Sequence, residues 1–440
     1  MNLKKYITNV SALQFFQIVR FGVLLLISIV LTKTKLRVGE IGVYETFLLI
    51  AGSVSFFWIG GMLQSLLAVF KNSKTFGTSE KNPILFNIFL LFTLISFLSA
   101  VLVLVSQPFI SSLFSFHGNK IPYMRILFMY IVVSGPVNLV EYFYLLKNKP
   151  KLLIIYGIIT FTLQLLCVTL PIIFTFDLAY GLYGFVFING LRYLWLIVLV
   201  YRYSEIKIST TFLKEFLRLS SPLVLSILLS GSAQYFDGFL VSYKYDEATL
   251  AIFRYGAREL PFIILLLDAF GNALTPRFSD PNNRKIALSE LKTGTAKLMH
   301  ILFPVAILIV LTSKYIYPII FNQYFESSAV IFNIYVLIII TRFLFTRIIL
   351  IGIKETKLIL KSSLIEIVIN ISLSLILIQF WGIFGVAIAT VISYLIEKLY
   401  LVICLKSKHN IKPSEYINLK YFSLYSLVLI IAFLLSFLLL

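Results

Sequence analysis

Long apolar runs, separated by short polar breaks, make up almost the whole chain. A helix that crosses a bilayer needs about 20 mostly apolar residues. Such stretches fall at 12–32, 41–69, 83–105, 123–146, 151–174, 179–201, 217–241, 248–275, 297–313, 326–351, 357–379, 382–405 and 421–440. None of the connections is long enough to hold a soluble domain. In hydrocarbon every backbone N–H and C=O must be satisfied inside its own segment, so each run is predicted to be helical. The predicted fold class is all-α integral membrane, with 12–13 transmembrane helices.

The two halves echo each other. YLLKNKPKLLIIYGII (144–159) matches LIGIKETKLILKSSLI (350–365), and YGLYGFVFINGLRYLWL (180–196) matches WGIFGVAIATVISYLIE (381–397). The glycine pairs Gly181/Gly184 and Gly382/Gly385 give an offset of about 201, and GEIGVYETF (39–47) against DEATLAIFRY (246–255) gives one of about 207–209. Six spans per repeat is an even number, so both repeats enter the membrane in the same direction, a common transporter plan. The expected organisation is an N-terminal lobe (1–205), a C-terminal lobe (206–405) and one extra span (406–440). Small residues such as Gly52, Gly60, Gly61 and Ala387–Ala389 read first as helix-packing positions.

Composition agrees with a membrane protein. Of 440 residues, 60% are hydrophobic and 13% charged, against about 25% charged in soluble domains; mean hydropathy is +0.97. The first run is long, is interrupted by Arg20 and is followed by Lys33, Lys35 and Arg37. It reads as a retained span rather than a cleaved signal. Cys167 and Cys404 lie in predicted spans, which argues against a disulfide framework. The net charge of +19 does not point to a nucleic-acid partner. Connections alternating onto one side (1–11, 70–82, 147–151, 202–218, 277–297, 354–361, 406–420) hold about 24 Lys/Arg and the other set about six, the positive-inside pattern. It predicts a cytoplasmic N-terminus and basic loops facing anionic membrane lipids.

Polar residues inside spans carry the functional signal, because charge at that depth must face protein or water. Helical spacing aligns Ser226, Ser230, Gln234 and Asp237 in the seventh span, and Arg254, Arg258, Pro261, Asp268 and Asn272 in the eighth. It also aligns Ser134, Asn138 and Glu141 in the fourth, Ser362, Glu366 and Asn370 in the eleventh, and Thr390, Tyr394 and Glu397 in the twelfth. Gln14, Gln17 and Arg20 form a looser stripe in the first, and Arg342, Thr346 and Arg347 mark the tenth. The stripes predict a hydrated, partly cationic cleft, and arginine suits phosphate. The competing reading is structural: Asp237 and Arg254 flank the 242–247 turn at nearly equal distances and would pair, while Arg347 and Lys398 would reach to the cytoplasmic surface. Pro136, Pro222, Pro261 and Pro304 are kinks or hinges. His117, His300 and His409 have no metal-ligand spacing. No GxxxxGK[ST] loop or GxSxG elbow occurs. Neither a cofactor nor an enzymatic activity is expected.

GEIGVYETF (39–47), SSPLVLSILLSGSAQYFDGFLVSY (220–243), LAIFRYGARELP (250–261), LTPRFS (274–279) and the GLYG and GIFG starts of the sixth and twelfth spans resemble a polysaccharide flippase of the multidrug/oligosaccharidyl-lipid/polysaccharide exporter superfamily. The resemblance covers most of 11–405. It implies a MATE-like fold of two six-helix bundles in a V with a central cavity. It also implies translocation of undecaprenyl-pyrophosphate-linked oligosaccharide, such as an O-antigen, capsule or exopolysaccharide repeat unit, across the bacterial cytoplasmic (inner) membrane by alternating access. Cavity arginines in relatives engage pyrophosphate, and by position Arg20, Arg254 and then Arg258 fit that role. Gln14, Gln17, Gln234 and Asn272 would bind sugar hydroxyls. Asp237, Glu366 and Glu397 are the candidates for coupling to H+ or Na+, and a polysaccharide polymerase is an expected partner. The rivals are a drug/cation antiporter of the same fold, which should have an acidic, aromatic cavity, and a membrane polymerase, which should have a large external loop.

Overall fold

The computed structural model describes residues 8–72, 83–112, 121–280 and 282–438. Lys4, Lys5, Lys74, Lys81, His117 and the last two positions of the final predicted span lie outside them. Among the described residues every regular element is helical, as backbone satisfaction in lipid demands. In order they are α1 (Asn9–Lys33), α2 (Val38–Ser53), α3 (Phe56–Asn72), α4 (Pro83–Val105), α5 (Gln107–Ser112), α6 (Met124–Ser134), α7 (Leu139–Leu146), α8 (Pro150–Thr175), α9 (Leu178–Tyr203), α10 (Thr210–Lys244), α11 (Glu247–Gly256), α12 (Pro261–Leu274), α13 (Arg284–Ile320), α14 (Glu326–Val336), α15 (Ile338–Arg342), α16 (Thr346–Gly352), α17 (Thr356–His409), α18 (Pro413–Tyr416) and α19 (Leu419–Leu438).

By length and apolarity, ten of the described helices can cross a membrane, or eleven counting α2 and α3, which are bent by 45°. The expectation was higher for two physical reasons. The eleventh and twelfth predicted spans run together as the 54-residue α17, broken internally where Gly382 adopts φ 58° and ψ −139°. The eighth is interrupted: α11 stops at Gly256 and α12 starts at Pro261. Proline has no N–H to donate, and it forces the preceding residue out of the helical region; Leu260 is extended at φ −73°, ψ 107°. Arg254, Arg258, Glu259 and Asp268 also crowd this stretch with charge. Large apolar side chains such as Val105, Phe174, Val198, Ile319 and Phe380 stand exposed, as on a surface wetted by lipid rather than water.

The backbone repeats at a single offset of 206. After α7, Asn148 has φ 52°, and after α16, Lys354 has φ 65°. Lys149 N–H donates to the Tyr144 carbonyl at 2.8 Å, and Glu355 N–H to the Leu350 carbonyl at 2.8 Å. These are the same helix-ending turn, since adding 206 turns 144, 148 and 149 into 350, 354 and 355. The next break falls at the same offset: 176 becomes 382, and both Phe176 and Gly382 have φ 58°, although their ψ values, 21° and −139°, differ. The glycine pairs therefore serve one role without being strictly equivalent. A Cβ on Gly184 would run into the Cys167 carbonyl, and one on Gly385 into the Leu377 carbonyl. Each lets the second helix of a pair lie directly on the backbone of the first.

The chain divides into two compact units, Met1–Gly231 with Ser242–Ala251, and Ser232–Val241 with Ile252–Leu440. In the first, α8 packs between α1 and α9, and α6 between α4 and α9. In the second, α13 carries α14 and α19, while α14 and α16 pack on α17. The extra helix α19 is well anchored, with Tyr425 stacked on Phe303 and Asn333 donating to Ser436. Both cysteines are free thiols.

Loops predicted on one side come together at one end of each unit. In the first, Asn9 donates to the Leu145 carbonyl, Lys149 to the Tyr203 hydroxyl and Asn87 to the Lys207 carbonyl. In the second, Ser279 donates to the Gly352 carbonyl and His409 lies 3.7 Å from Glu355. The alternate loops meet at the other end of the first unit, where Lys35 sits over the Phe176 ring. There burial, with Asp177 and Glu40 nearby, raises the Tyr123 phenol above its ordinary value.

Candidate functional site

In the first unit the interior polar groups converge from α1, α7 and α9. Phe16 of α1 packs against Tyr156 and Phe161 of α8. One turn further along that face stands Arg20, half-buried. Tyr130, Glu141, Tyr142, Tyr156 and Arg192 all lie within its electrostatic reach. Among the described residues, no carboxylate is in direct ion-pair contact with Arg20. Glu141 is only 5% exposed. Arg192 is 8% exposed; it donates to the Thr160 carbonyl at 3.1 Å and lies 4.7 Å over the Phe161 ring. Its Nε has no partner among the described residues. Glu141 thus faces Arg20, while the charged and phenolic groups acting on Arg192 are Tyr156, Arg20 and Tyr130, which leaves this interior cationic and lined by phenols. Gln17 and Gln14 are half-buried about one and two turns before Arg20.

The sequence reading passed over Arg192. Its signal was a charged side chain within the sixth predicted span, on the helix face that Phe185, Ile188 and Asn189 bury.

In the second unit most charges are internally matched. Asp237 is fully buried. Thr390 Oγ1 donates to it at 2.6 Å and Ser374 Oγ at 3.2 Å, while Asn370 donates to Thr390 at 3.3 Å. The hairpin ion pair expected between Asp237 and Arg254 is not formed, because the aspartate turns toward the hydroxyls of α17. Arg342 grips Glu259 with two hydrogen bonds, of 2.9 and 2.6 Å. Arg347 donates to Glu397 at 3.0 Å and to Ser363 at 3.1 Å, and lies 3.6 Å from Glu366. Lys398 sits 3.2 Å from Glu397 and Ser362 donates to the same carboxylate at 3.0 Å. Arg347 and Lys398 therefore do not extend to the surface. Lys398 is 8% exposed, and both cations are held by carboxylates whose burial would otherwise be prohibitive.

The eighth-span arc does not survive the break at Pro261. Arg254 is on α11, Arg258 is in the turn, and Asp268 and Asn272 are on α12. Arg254 and Arg258 are half-buried; Arg258 Nε donates to the Arg254 carbonyl at 3.1 Å and its guanidinium lies 4.7 Å over the Tyr255 ring. Gln234 and Asn272, expected to face inward, are exposed.

A profile for polysaccharide biosynthesis proteins matches residues 36–330. The chain belongs to that family. The fold is shared with solved membrane transporters. Lipid II flippase MurJ in an inward closed conformation matches with a TM-score of 0.68 at 18% identity, covering 95% of this chain and 91% of that one. An inward-facing multidrug resistance MATE family transporter of the MOP superfamily matches at 0.61 and 16%, covering 86% and 91%. A Vibrio cholerae MATE transporter, VcmN, matches at 0.57 and 14%, covering 91% and 98%. Among curated proteins no significant match exists. Family and fold together make this polysaccharide biosynthesis protein a multi-pass membrane protein, with the fold of those solved structures.

Proposed function

We propose that the protein flips undecaprenyl-pyrophosphate-linked oligosaccharide across the bacterial cytoplasmic membrane by alternating access. The observation that carries this reading is the cationic interior of the first unit, where Arg20 and Arg192 outnumber Glu141 and, among the described residues, Arg20 has no carboxylate in direct contact. A pyrophosphate cannot enter hydrocarbon alone, since unpaired polar groups each cost several kcal/mol there. Guanidinium groups held among tyrosines replace its water with charge-assisted hydrogen bonds. Arg20, with Gln14 and Gln17 along α1, is the primary headgroup contact. In the second unit Arg254 and Arg258 are the candidate phosphate contacts, and the exposed Gln234 and Asn272 are available to sugar hydroxyls. No covalent step is required.

Coupling to an ion is assigned to Asp237, Glu366 and Glu397, and Asp237 is the leading candidate. It is buried, is in no ion pair among the described residues, and is surrounded by the hydroxyls of Thr390 and Ser374 and the Asn370 amide, a polar shell that can serve H+ or, with the carboxylate, a hard cation such as Na+. The same feature favours a cation antiporter as the second reading, and cargo separates the two. In cells lacking their own flippase, the wild-type gene restores surface glycan. Arg20→Ala and Arg254→Ala should each abolish that restoration while the protein remains in the membrane at normal abundance. Normal glycan in both variants would defeat the phosphate role and turn attention to drug or cation export.

A further inference from the structure

Glu141 is the carboxylate of the first unit's interior, and its surroundings do not hold it as the second unit holds its own acids. It lies on α7 and is 5% exposed. Among the described residues it makes no hydrogen bond or ion pair, and Arg20 is the charge that acts on it. α7 packs on α1, α3, α8, α9 and the Pro136–Asn138 turn. Glu141 is faced by Arg20 from α1, by Tyr156 from α8 and by Tyr142 along α7. From α9, Arg192 acts on Arg20 and Tyr156. The turn and the described side chains of α3 carry no ionisable group. Arg20 is therefore the cation that offsets the Glu141 charge, and it does so from beyond ion-pair contact.

The repeat shows what the same backbone positions can do. Adding 206 to Glu141 gives Arg347, and adding it to Thr160 gives Glu366. In the second unit these two places carry opposite charges 3.6 Å apart, and Glu397 lies 3.0 Å from the same guanidinium. In the first unit the second place is neutral. Thr160 Oγ1 donates to the Tyr156 carbonyl at 2.8 Å, and the Thr160 carbonyl accepts from Arg192. One copy closes its charges within itself. The other leaves a buried acid whose countercharge, Arg20, is a half-buried group open to capture by phosphate. A carboxylate stripped of its cation at such a depth becomes neutral by binding a proton rather than staying charged.

Given that Arg20 holds the pyrophosphate, the reading on which this one rests, we propose that Glu141 is a proton-binding site coupled to the cargo: it takes one proton from water as the headgroup captures Arg20 and returns it as the headgroup leaves. Only the carboxyl O–H bond forms and breaks. Empty, Arg20, Arg192 and Glu141 carry one net positive charge. A pyrophosphate diester brings two negative charges, which leaves the loaded interior one negative in excess. A proton on Glu141 brings it to zero, and in surroundings of low dielectric that balance matters. Asp237 of the second unit keeps its role with the driving ion, while Glu141 serves the cargo.

The test is titration calorimetry of the full-length protein in detergent with a short-chain prenyl-pyrophosphoryl N-acetylglucosamine, whose two phosphates are diesters and do not titrate near neutral pH. Each titration is run in two buffers of different ionisation enthalpy, which counts the protons exchanged. The wild type should take up about one proton per headgroup, and its affinity should fall about tenfold for each pH unit above about pH 7. Glu141→Gln should bind the probe with no proton uptake and no such pH dependence. Unchanged melting shows that the variant is folded, and the wild-type proton count is a test in its own right if it is not. Binding by the wild type without proton uptake overturns this proposal and leaves the flippase reading standing. Uptake that persists in folded Glu141→Gln places the proton on another group and overturns it as well. No binding of the probe by the wild type defeats the phosphate role itself, and the proton site falls with it.

Discussion

Arg347→Met offers the sharpest probe of how the second unit is held together. The guanidinium is the shared partner of two buried carboxylates, 3.0 Å from Glu397 and 3.6 Å from Glu366. Their side chains are 0% and 2% exposed, and Arg347 itself is 32% exposed. With an effective dielectric of about 20, a contact at 3.6 Å corresponds to about 5 kcal/mol of attraction, most of which offsets the cost of removing the charges from water. Removing Arg347 leaves Glu397 with Lys398 and Ser362. It leaves Glu366 with only the more distant Lys398 and Arg342, and neither oxygen of Glu366 has a hydrogen-bond partner among the described residues. An uncompensated buried charge costs about 3–5 kcal/mol, and that is the expected loss of stability. Glu366→Gln added to Arg347→Met removes the stranded charge, so the double variant should recover about 2 kcal/mol relative to additivity. The assay is reversible unfolding in mixed micelles at constant pH, for the wild type, both single variants and the double variant. A loss below about 1 kcal/mol for Arg347→Met, or additivity within about 0.5 kcal/mol, would show that these groups do not act as one network.

Asp237→Asn keeps the shape of the Thr390 and Ser374 site but removes its charge; transport should lose its dependence on an ion gradient while the protein stays folded, and gradient-driven transport at the wild-type rate would remove Asp237 from the coupling role. Gly184→Val places a branched side chain against the Cys167 carbonyl and should lower stability by about 3 kcal/mol or more, whereas Gly190→Ala, with nothing within 4 Å of the added carbon, should be close to neutral in the same melt. Asp246 caps α11 by accepting from the Thr249 N–H at 2.9 Å and from its hydroxyl, and these bonds hold its carboxyl below the usual range. Its contribution is therefore present above about pH 4 and fades as pH falls through the depressed value; Asp246→Asn keeps the cap and should flatten that acid limb, and an unchanged limb would contradict the assignment. A cysteine at Ile206, in the exposed loop before α10, should resist an impermeant reagent applied from outside intact cells; rapid labelling would invert the proposed orientation.

The helices, the membrane class and the existence of a repeat were legible in the sequence. They depend on local properties: apolar length, which decides whether a segment can cross lipid, and the spacing of lysines and glycines at its ends. The register of the repeat was legible in one match and blurred in others: 144–159 against 350–365 gives 206, the offset of the left-handed turns at Asn148 and Lys354, whereas the GxxG pairs suggested about 201. Backbone conformation identifies equivalent positions more strictly than residue type, because a side-chain pattern can slide by one helical turn and still bury its small residues. The fate of the intramembrane charges was not legible. Asp237 has an arginine at matching depth on the next helix, yet it bonds to Thr390 and Ser374. Arg347 and Lys398 have stems long enough to reach the surface, yet they close on Glu397. A helical wheel tells which residues share a face but not which helix that face meets. The cationic interior around Arg20 belongs with these, because it is made by α1, α7 and α9, and only packing brings Arg192 and Glu141 within range of the first span.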